Sequence, residues 1–426
     1  MRLLLSGCGT PIQPLSKVVQ LSISHLTQHL PYQIIDTKEF LQKVQHINQT
    51  LAPIPESACF AVCDVISLYP NVNNDMGVPA TEQRLRAHPS PLNISPECVV
   101  EALKLTLNNN VTAFTDGEGH TTYAKPNHGT AMGPSHACDY VDIFMGELDE
   151  MIVNQSPIPL LSSLAPTNSA TDLKSLDWSR FRDDGFTIIP DESYVDRFEQ
   201  HLQALHPPTI RWTVSHGKTA NYLDVSLELK DGRITTDVFS KHCHSYLPPT
   251  SCHSPGVFKG LIRGVGTRLR MICSDDDTLA GRVDEYTNYF AASGWKKTKA
   301  RSELQIGAGR NRAEILSQPR MKKTKKLAWV TTYDPRLPSK SAIIRKNLPL
   351  LYSSQQNRQI FPNKLLIGAG RRRKNFTNPP HPDVLYNMAQ NNSRGFSHAK
   401  PNAVTHVPIP QNSTTSSHHG MAGNGL

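Results

Sequence analysis

ACFAVCDVISLY, Ala58 to Tyr69, and WSRFRDDGFTII, Trp178 to Ile189, are the two stretches that decide the fold. The first is an apolar, strand-like run closed by Pro70-Asn71, with a single carboxylate, Asp64, near its centre. A lone acid in such a strand needs a compensating role, because an unpartnered charge is costly to bury. The second reads as a hairpin, two β-rich arms around Asp183-Asp184-Gly185, with Asp-Gly as the turn signal and acids at the tip.

Helical patterns lie between and after these runs. Ser95-Pro96 opens one carrying Val99, Val100, Leu103 and Leu107, and Pro134 opens another carrying Ala137, Tyr140, Val141, Phe144, Leu148 and Met151. A helix from Asp191 to His206 follows the hairpin, and a strand from Ile210 to Val214 follows that helix. The order β, α, β-hairpin, α, β is that of a split βαβ sheet of the ferredoxin-like (RRM-like) kind with one long insertion, hence an α+β fold. Adjacent central strands of such a sheet bring Asp64 and Asp183-Asp184, 119 residues apart, to the same edge.

The flanking sequence extends this picture. Leu15 to Leu51 holds two helical patterns, the second opening at Asp36 as N-cap and placing Phe40, Leu41, Val44, Ile47 and Leu51 on one face. A second hairpin runs from Tyr222 to Phe239 around Asp231-Gly232 and is expected at the edge of the sheet. Asn154 to Ala170 reads as a surface loop and Ser274 to Asp277 as a solvated turn. From Ser274 the patterns become helical and basic, and from Thr377 the composition of Asn, Pro, Ser and His is that of a disordered tail.

Composition narrows the partners. A length of 426 residues suits two or three domains, and 38% hydrophobic with 19% charged residues excludes a collagen, a coiled coil or a fully disordered chain. The net charge of +9 is local: Trp295 to Phe376 holds 21 Lys/Arg against Glu303, Glu314 and Asp334, so this segment carries +18 and the rest sums to −9. A basic segment beside a more acidic body points to a polyanion, most often nucleic acid; the plainer reading is a basic tail on an unrelated protein. Eight cysteines without a CxxC pair fit a reducing compartment. Leu5-Ser6-Gly7-Cys8 imitates a lipoprotein cleavage box without the apolar core that export needs, and no run approaches the ~20 apolar residues of a membrane span.

Clustered carboxylates bind hard divalent cations. Two Mg²⁺ ions about 4 Å apart activate an attacking hydroxyl and stabilise both oxygens of an in-line phosphoryl displacement. Taken alone, an Asp-Asp pair is usually a solvated turn; the setting of Asp183-Asp184 gives it more weight.

At this point the residues reach a family. CDVISLYPNV (63–72), HGTAMGPSHACDYVDIFMGELDE (128–150) and RFRDDGFTI (180–188) resemble three successive palm motifs of reverse transcriptases of the Penelope-like, GIY-YIG-associated retroelements. Residues 221–274 resemble the segment after that palm, and LAWVTTYDP and RRRKNF resemble the family's thumb and connector.

The resemblance implies a right-hand polymerase with partial fingers and support helices (1–57), a palm (58–274), a basic helical thumb and connector (275–376) and a disordered tail (377–426). It makes Asp64 and Asp183 ligands of two Mg²⁺ ions, with Mn²⁺ an alternative, and Asp184 their supporting acid. Tyr69 matches the aromatic gate that excludes a ribose 2′-hydroxyl, with a plain strand-end aromatic as the other reading. Gly129, Met132 and Gly133 match a loop-to-helix motif under the template and nascent base pair. Lys218 is a proton donor to pyrophosphate or, on the plainer reading, a surface lysine.

Arg2 falls in the second half of the triphosphate-gripping region, where the upstream basic fingers residues of the family are not found. Cys252 and His253 match a primer-contacting motif; with His242, Cys243 and His244 their spacing fits no standard zinc site. Phe181 stands where many relatives have tyrosine, and no GIY-YIG nuclease is recognisable.

Two functions follow. One is an RNA-directed DNA polymerase acting on an RNA template, a DNA primer and dNTPs, without a membrane partner. The other is a catalytically inactive nucleic-acid-binding remnant of a truncated retroelement, binding through charge alone. A host protein reusing the fold, or a telomerase-related enzyme, is a third reading, although nothing resembles a telomerase RNA-binding domain. Lys322-Lys323-Thr324-Lys325-Lys326 and Arg371-Arg372-Arg373-Lys374 suit nuclear import and, equally, phosphate contact.

Overall fold

The computed structural model describes residues 9–109, 111–115, 117–125, 128–164, 174–205, 207–240, 245–251, 253–319, 327–332, 340–351, 353–355 and 366–371. The chain enters through α1 (Gln13–Ile23) and α2 (Thr37–Thr50). Asp36 caps α2 as its position predicts, accepting the Glu39 N–H at 2.9 Å. Phe40, Leu41, Val44 and Ile47 then form one buried face.

Strand β1 (Cys59–Val65) stops four residues short of the expected end. Ser67 adopts a left-handed conformation (φ 53°), which breaks the ladder. The Asn71 amide donates to the Ile66 and Ser67 carbonyls at 3.2 and 3.1 Å, closing a single helical turn, α3 (Leu68–Asn71). Tyr69 therefore lies in a helical turn beyond the strand.

Helix α4 (Asn74–Ala87) was not legible, because Gly77 and Pro79 interrupt its pattern. Asn73 caps it, accepting the Asp75 and Met76 N–H groups at 2.8 and 3.2 Å, and Arg84 ties it to Glu147 at 2.7 Å. α5 (Pro96–Asn108) follows, with Ser95 as its cap, then a hairpin of β2 (Thr112–Thr115) and β3 (Thr121–Ala124), and the long α6 (Ala137–Asn154). β4 (Ser179–Phe181), β5 (Asp184–Ile189), α7 (Val195–Ala204) and β6 (Trp212–Gly217) complete the unit. The last strand begins two residues later than its sequence suggests.

The four strands lie in the order β4-β5-β1-β6, each neighbouring pair antiparallel. This is the ferredoxin-like split βαβ order. Strand alternation divides the core in two. Cys59, Ala61, Cys63 and Val65 face a layer that includes Tyr140, Phe144 and Leu148 of α6 and Phe198 and Leu202 of α7. Phe60, Phe186 and Ile188 face the opposite layer, which contains Phe40 and Leu41 of α2. By the same alternation Asp64 and Asp184 lie on the Phe60–Phe186 face, away from α6 and α7.

A separate sheet follows, β7 (Thr219–Tyr222), β8 (Val225–Lys230) and β9 (Arg233–Val238). Asp231 and Gly232, both at positive φ (52° and 68°), form the tight turn their identities predict. Four helices come next: α8 (Pro255–Ile272), α9 (Asp276–Ala292), α10 (Lys297–Ala308) and α11 (Arg312–Ser317). Asp275 is the N-cap of α9, accepting the Thr278 N–H at 2.7 Å, so the Ser274–Asp277 run is a helix start and not a solvated turn. Beyond it lie β10 (Leu327–Thr332), α12 (Lys340–Leu351) and β11 (Leu366–Arg371), with β10 and β11 parallel. No helix among the described residues is long and apolar enough to cross a membrane. The tail from 377 lies outside them.

Candidate active site

Asp64 and Asp184 are register partners across β1 and β5. The next position is hydrogen-bonded, with the Val65 N–H donating to the Asp183 carbonyl at 3.0 Å. Asp64 and Asp184 therefore form a non-hydrogen-bonded pair, the class in which facing Cα atoms approach to about 4.5 Å and side chains leave the same face. Asp183 occupies the turn immediately before, and all three acids are part-exposed. On its other side Asp64 pairs with Thr213 of β6.

The turn differs from its sequence signature. Phe181 pairs with Asp184, so the two-residue turn is Arg182-Asp183, with Arg182 at φ 60°. Asp184 and Gly185 are strand residues. Gly185 is required for another reason: a Cβ there would stand 2.3 Å from the buried Trp178 ring.

An ion network beneath the turn went unread in the sequence. Arg180, with no exposed side-chain surface, donates through Nε to both oxygens of Asp149 at 2.9 and 2.8 Å and through Nη1 to Asp142 at 3.3 Å. The Trp178 indole N–H donates to Asp149 at 2.7 Å. Arg180 also holds the Arg182 carbonyl at 3.0 Å, and Arg182 itself pairs with Asp142 and donates to the Cys138 carbonyl at 3.1 Å. Asp142 and Asp149 stand seven residues apart on α6, two turns of one face. That spacing, matched to Arg180 and Arg182 two residues apart on the hairpin, was the available signal.

Tyr69 packs beside the start of α6. Its hydroxyl and the Cys138 Sγ lie 3.3 Å apart, and burial, then the Cys138 contact, push the phenol above its usual range. Gly129, at φ 71°, sits where a Cβ would be 2.4 Å from the Tyr69 carbonyl oxygen and 2.5 Å from that of Pro70. Thr130 N–H donates to the Tyr69 carbonyl at 2.9 Å. The close approach that glycine permits here is thus to the Tyr69 turn. Met132 is half-buried and Gly133 exposed on the same loop.

Behind this loop His136 is fully buried between the Ser16 and Thr106 hydroxyls at 3.0 and 3.4 Å, and burial lowers its pKa to about 4. Burial, reinforced by Asp142, raises Asp139 to about 6.

Lys218 does not join the acids. Its ammonium donates to the carbonyls of Glu56 and Ala58, the latter at 2.6 Å, just before β1 begins. Six residues of extended chain separate Ala58 from Asp64, roughly 20 Å. The proton-donor expectation therefore has no geometric support, because both contacts bind Lys218 to the far end of the strand. Arg2, Cys252 and His242 to His244 lie outside the described residues, and His253 contacts Ser251 at 2.9 Å.

No group of three or more His, Cys, Asp or Glu side chains among the described residues is gathered for a metal ion. Mg²⁺ does not require one: it keeps several waters and is commonly held by one or two carboxylates together with substrate phosphates. An all-oxygen pair, Asp64 opposite Asp184 with Asp183 adjacent, suits that mode.

No family model matches this sequence, and no curated protein matches it. Solved structures do. The telomerase of Candida albicans, in complex with a TWJ fragment of telomeric RNA, aligns at a TM-score of 0.51 and 11% identity over 68% of this chain and 48% of that one. The apo telomerase of Candida tropicalis aligns at 0.44 and 11% over 72% and 56%, and the RNA-dependent RNA polymerase of a human picobirnavirus at 0.37 and 13% over 70% and 56%. The chain spans about half the length of these proteins. Together with the strand order, the first of these likenesses shows that the described residues have a reverse-transcriptase-like polymerase fold.

Proposed function

We propose that this chain is the RNA-directed DNA polymerase of a Penelope-like retroelement, joining dNTPs to a DNA primer on an RNA template. The observation that carries the reading is the Asp64–Asp184 cross-strand pair with Asp183 in the adjoining turn. Asp64 and Asp183 would hold Mg²⁺ or Mn²⁺, with Asp184 supporting them. When bound, the metal lowers the pKa of the primer 3′-hydroxyl and offsets charge on the phosphates.

The protein's own part is positional. Arg180 and Arg182 fix the turn that presents Asp183. The Tyr69 ring occupies the space of a ribose 2′-hydroxyl and so favours deoxynucleotides. Gly129 lets the template-side loop seat against the Tyr69-Pro70 backbone. The exposed Lys296, Lys297 and Lys299 belong to the basic 295–376 segment that grips the duplex backbone. The runs Lys322-Lys323-Thr324-Lys325-Lys326 and Arg371-Arg372-Arg373-Lys374 would serve nuclear import.

Primer extension on an RNA template with dNTPs, in Mg²⁺ and in Mn²⁺, tests this against Asp183→Ala. Extension by the wild type alone supports the polymerase. Absence of extension in both metals, with duplex binding that persists and weakens with salt, favours the non-catalytic nucleic-acid-binding remnant.

A further inference from the structure

A cavity of about 400 Å³ opens between α2, β9 and the start of α11, lined by Gln45, Asn48, Gln49, Arg233, Ser274 and Arg312 among others, and by no carboxylate. Its size is that of a small-ligand site. It lies away from the acid edge: Arg233 follows the Asp231-Gly232 turn, whose Gly232 carbonyl accepts the Ile54 N–H at 2.9 Å upstream of β1. Asp64 is at the opposite end of that strand.

The charge balance of the cavity is incomplete. Arg312 is half-buried, its Nε donates to the Met271 carbonyl at 3.1 Å, and burial, then the like charge of Arg270, lowers its pKa. No acid lines the cavity, and three of those in this part of the fold are already committed. Asp276 pairs with Arg270, Asp275 caps α9 at 2.7 Å, and Asp237 holds Arg282 at 2.6 Å. Asn48 spends its amide on Ile234, donating to the carbonyl at 2.8 Å and accepting the N–H at 2.9 Å. The half-buried Arg312, the exposed Arg233 and the amides of Gln45 and Gln49 therefore line the cavity with no carboxylate among its walls. A desolvated guanidinium beside a like charge is unfavourable unless an anion joins it, and two guanidiniums with amide donors match the oxygens of a phosphate.

We propose that this cavity binds phosphate, and that its source is a phosphodiester of a nucleic-acid strand running outside the acid edge. The choice of nucleic acid rests on charge, since Arg312 belongs to the segment that carries +18. The proposal does not depend on the polymerase reading.

The test uses the full chain with Arg312→Gln, Arg233→Gln and the charge-keeping Arg312→Lys. Inorganic phosphate is titrated against thermal unfolding, and binding of a single-stranded and a duplex oligonucleotide is measured across a salt series. The expected result is stabilisation by phosphate that both Gln variants lose. Oligonucleotide affinity should fall several-fold in the same variants, with a salt slope smaller by about one, and Arg312→Lys should retain most of both. Stabilisation by phosphate with unchanged oligonucleotide binding would keep the anion site and overturn the nucleic-acid source. Identical phosphate response and salt slope in wild type and both Gln variants would overturn the site itself.

Discussion

Arg182 reaches back from the turn to pair with Asp142 of α6, so the residue just before Asp183 is anchored in the core. Asp142 is 1% exposed and also faces Arg180. Removing its charge leaves two guanidiniums short of a partner, and breaking a buried pair from one side costs about 3–5 kcal/mol. Asp142→Asn should lower unfolding free energy by about 3 kcal/mol in urea titrations, and primer extension should fall even at temperatures where the variant is folded. Wild-type stability would show that the network carries no load.

Asp64 sits at a part-exposed strand end, so its role can be removed without disturbing the core. Asp64→Asn should keep the melting temperature within a few degrees and leave duplex binding unchanged, while extension drops by roughly 10²- to 10³-fold, the scale of losing a main electrostatic contributor. Extension near the wild-type rate would remove Asp64 from the proposed site.

Tyr69 is held between the Cys138 thiol and the Gly129 loop. Tyr69→Ala should raise ribonucleotide incorporation relative to deoxynucleotide on the order of 100-fold in kcat/KM, through a ring no longer filling the sugar pocket. Cys138→Ser, which keeps a hydrogen-bonding group, should change that ratio little. Equal ratios in Tyr69→Ala and wild type would refute the gate.

One buried and one half-buried group set opposing pH dependences. His136 is depressed to about 4 in the fold, so the unfolded chain, titrating near 6.5, takes up the proton first; stability contributed by neutral His136 is lost as pH falls from about 6.5 to 4. The full span is roughly 3 kcal/mol by the linkage relation. Asp139 is raised to about 6, so the folded chain binds its proton first and gains stability over much of the same window. Asp139→Asn should steepen acid destabilisation between pH 6.5 and 4, and His136→Asn should abolish or invert it. Chemical denaturation at stepped pH reads both, and parallel profiles in all three proteins would contradict the assignment.

Gly185→Ala adds a methyl against the Trp178 ring, whose side chain has no exposed surface in which to move. Overpacking of this kind costs about 1–3 kcal/mol. The change should appear in denaturant midpoint together with altered tryptophan fluorescence, since Trp178 also packs edge-on against Trp212 at 6.0 Å.

Much of this architecture was legible because its signals are local. The Asp36 and Ser95 caps, the β8–β9 turn and the apolar faces of α2, α5 and α6 are each settled within a few residues. So is the order of elements that places β1 beside β5. What failed was decided by tertiary contact. Asp-Gly at 184–185 mimics a turn, yet Gly185 is glycine because Trp178 lies over it. α4 holds despite Pro79 because Asn73 caps it and Arg84 binds Glu147. Within the site, the two carboxylate positions follow from strand order, whereas the Arg180–Asp149 pair joins residues 31 apart whose charges look like any others on a surface. Lys218 illustrates the reverse: a lysine at a suggestive distance in sequence that the fold spends on two carbonyls.

Phe60 and Asp64 share a face because strands alternate, so a slip of one residue would drive Asp64 into the α6–α7 layer and expel Cys63 and Val65 from it. A chain that folds has thereby fixed which side its carboxylates occupy. The carboxylates can be altered one at a time by substitution, but they cannot be shifted gradually to the other face, because that shift exchanges the whole apolar set of the strand.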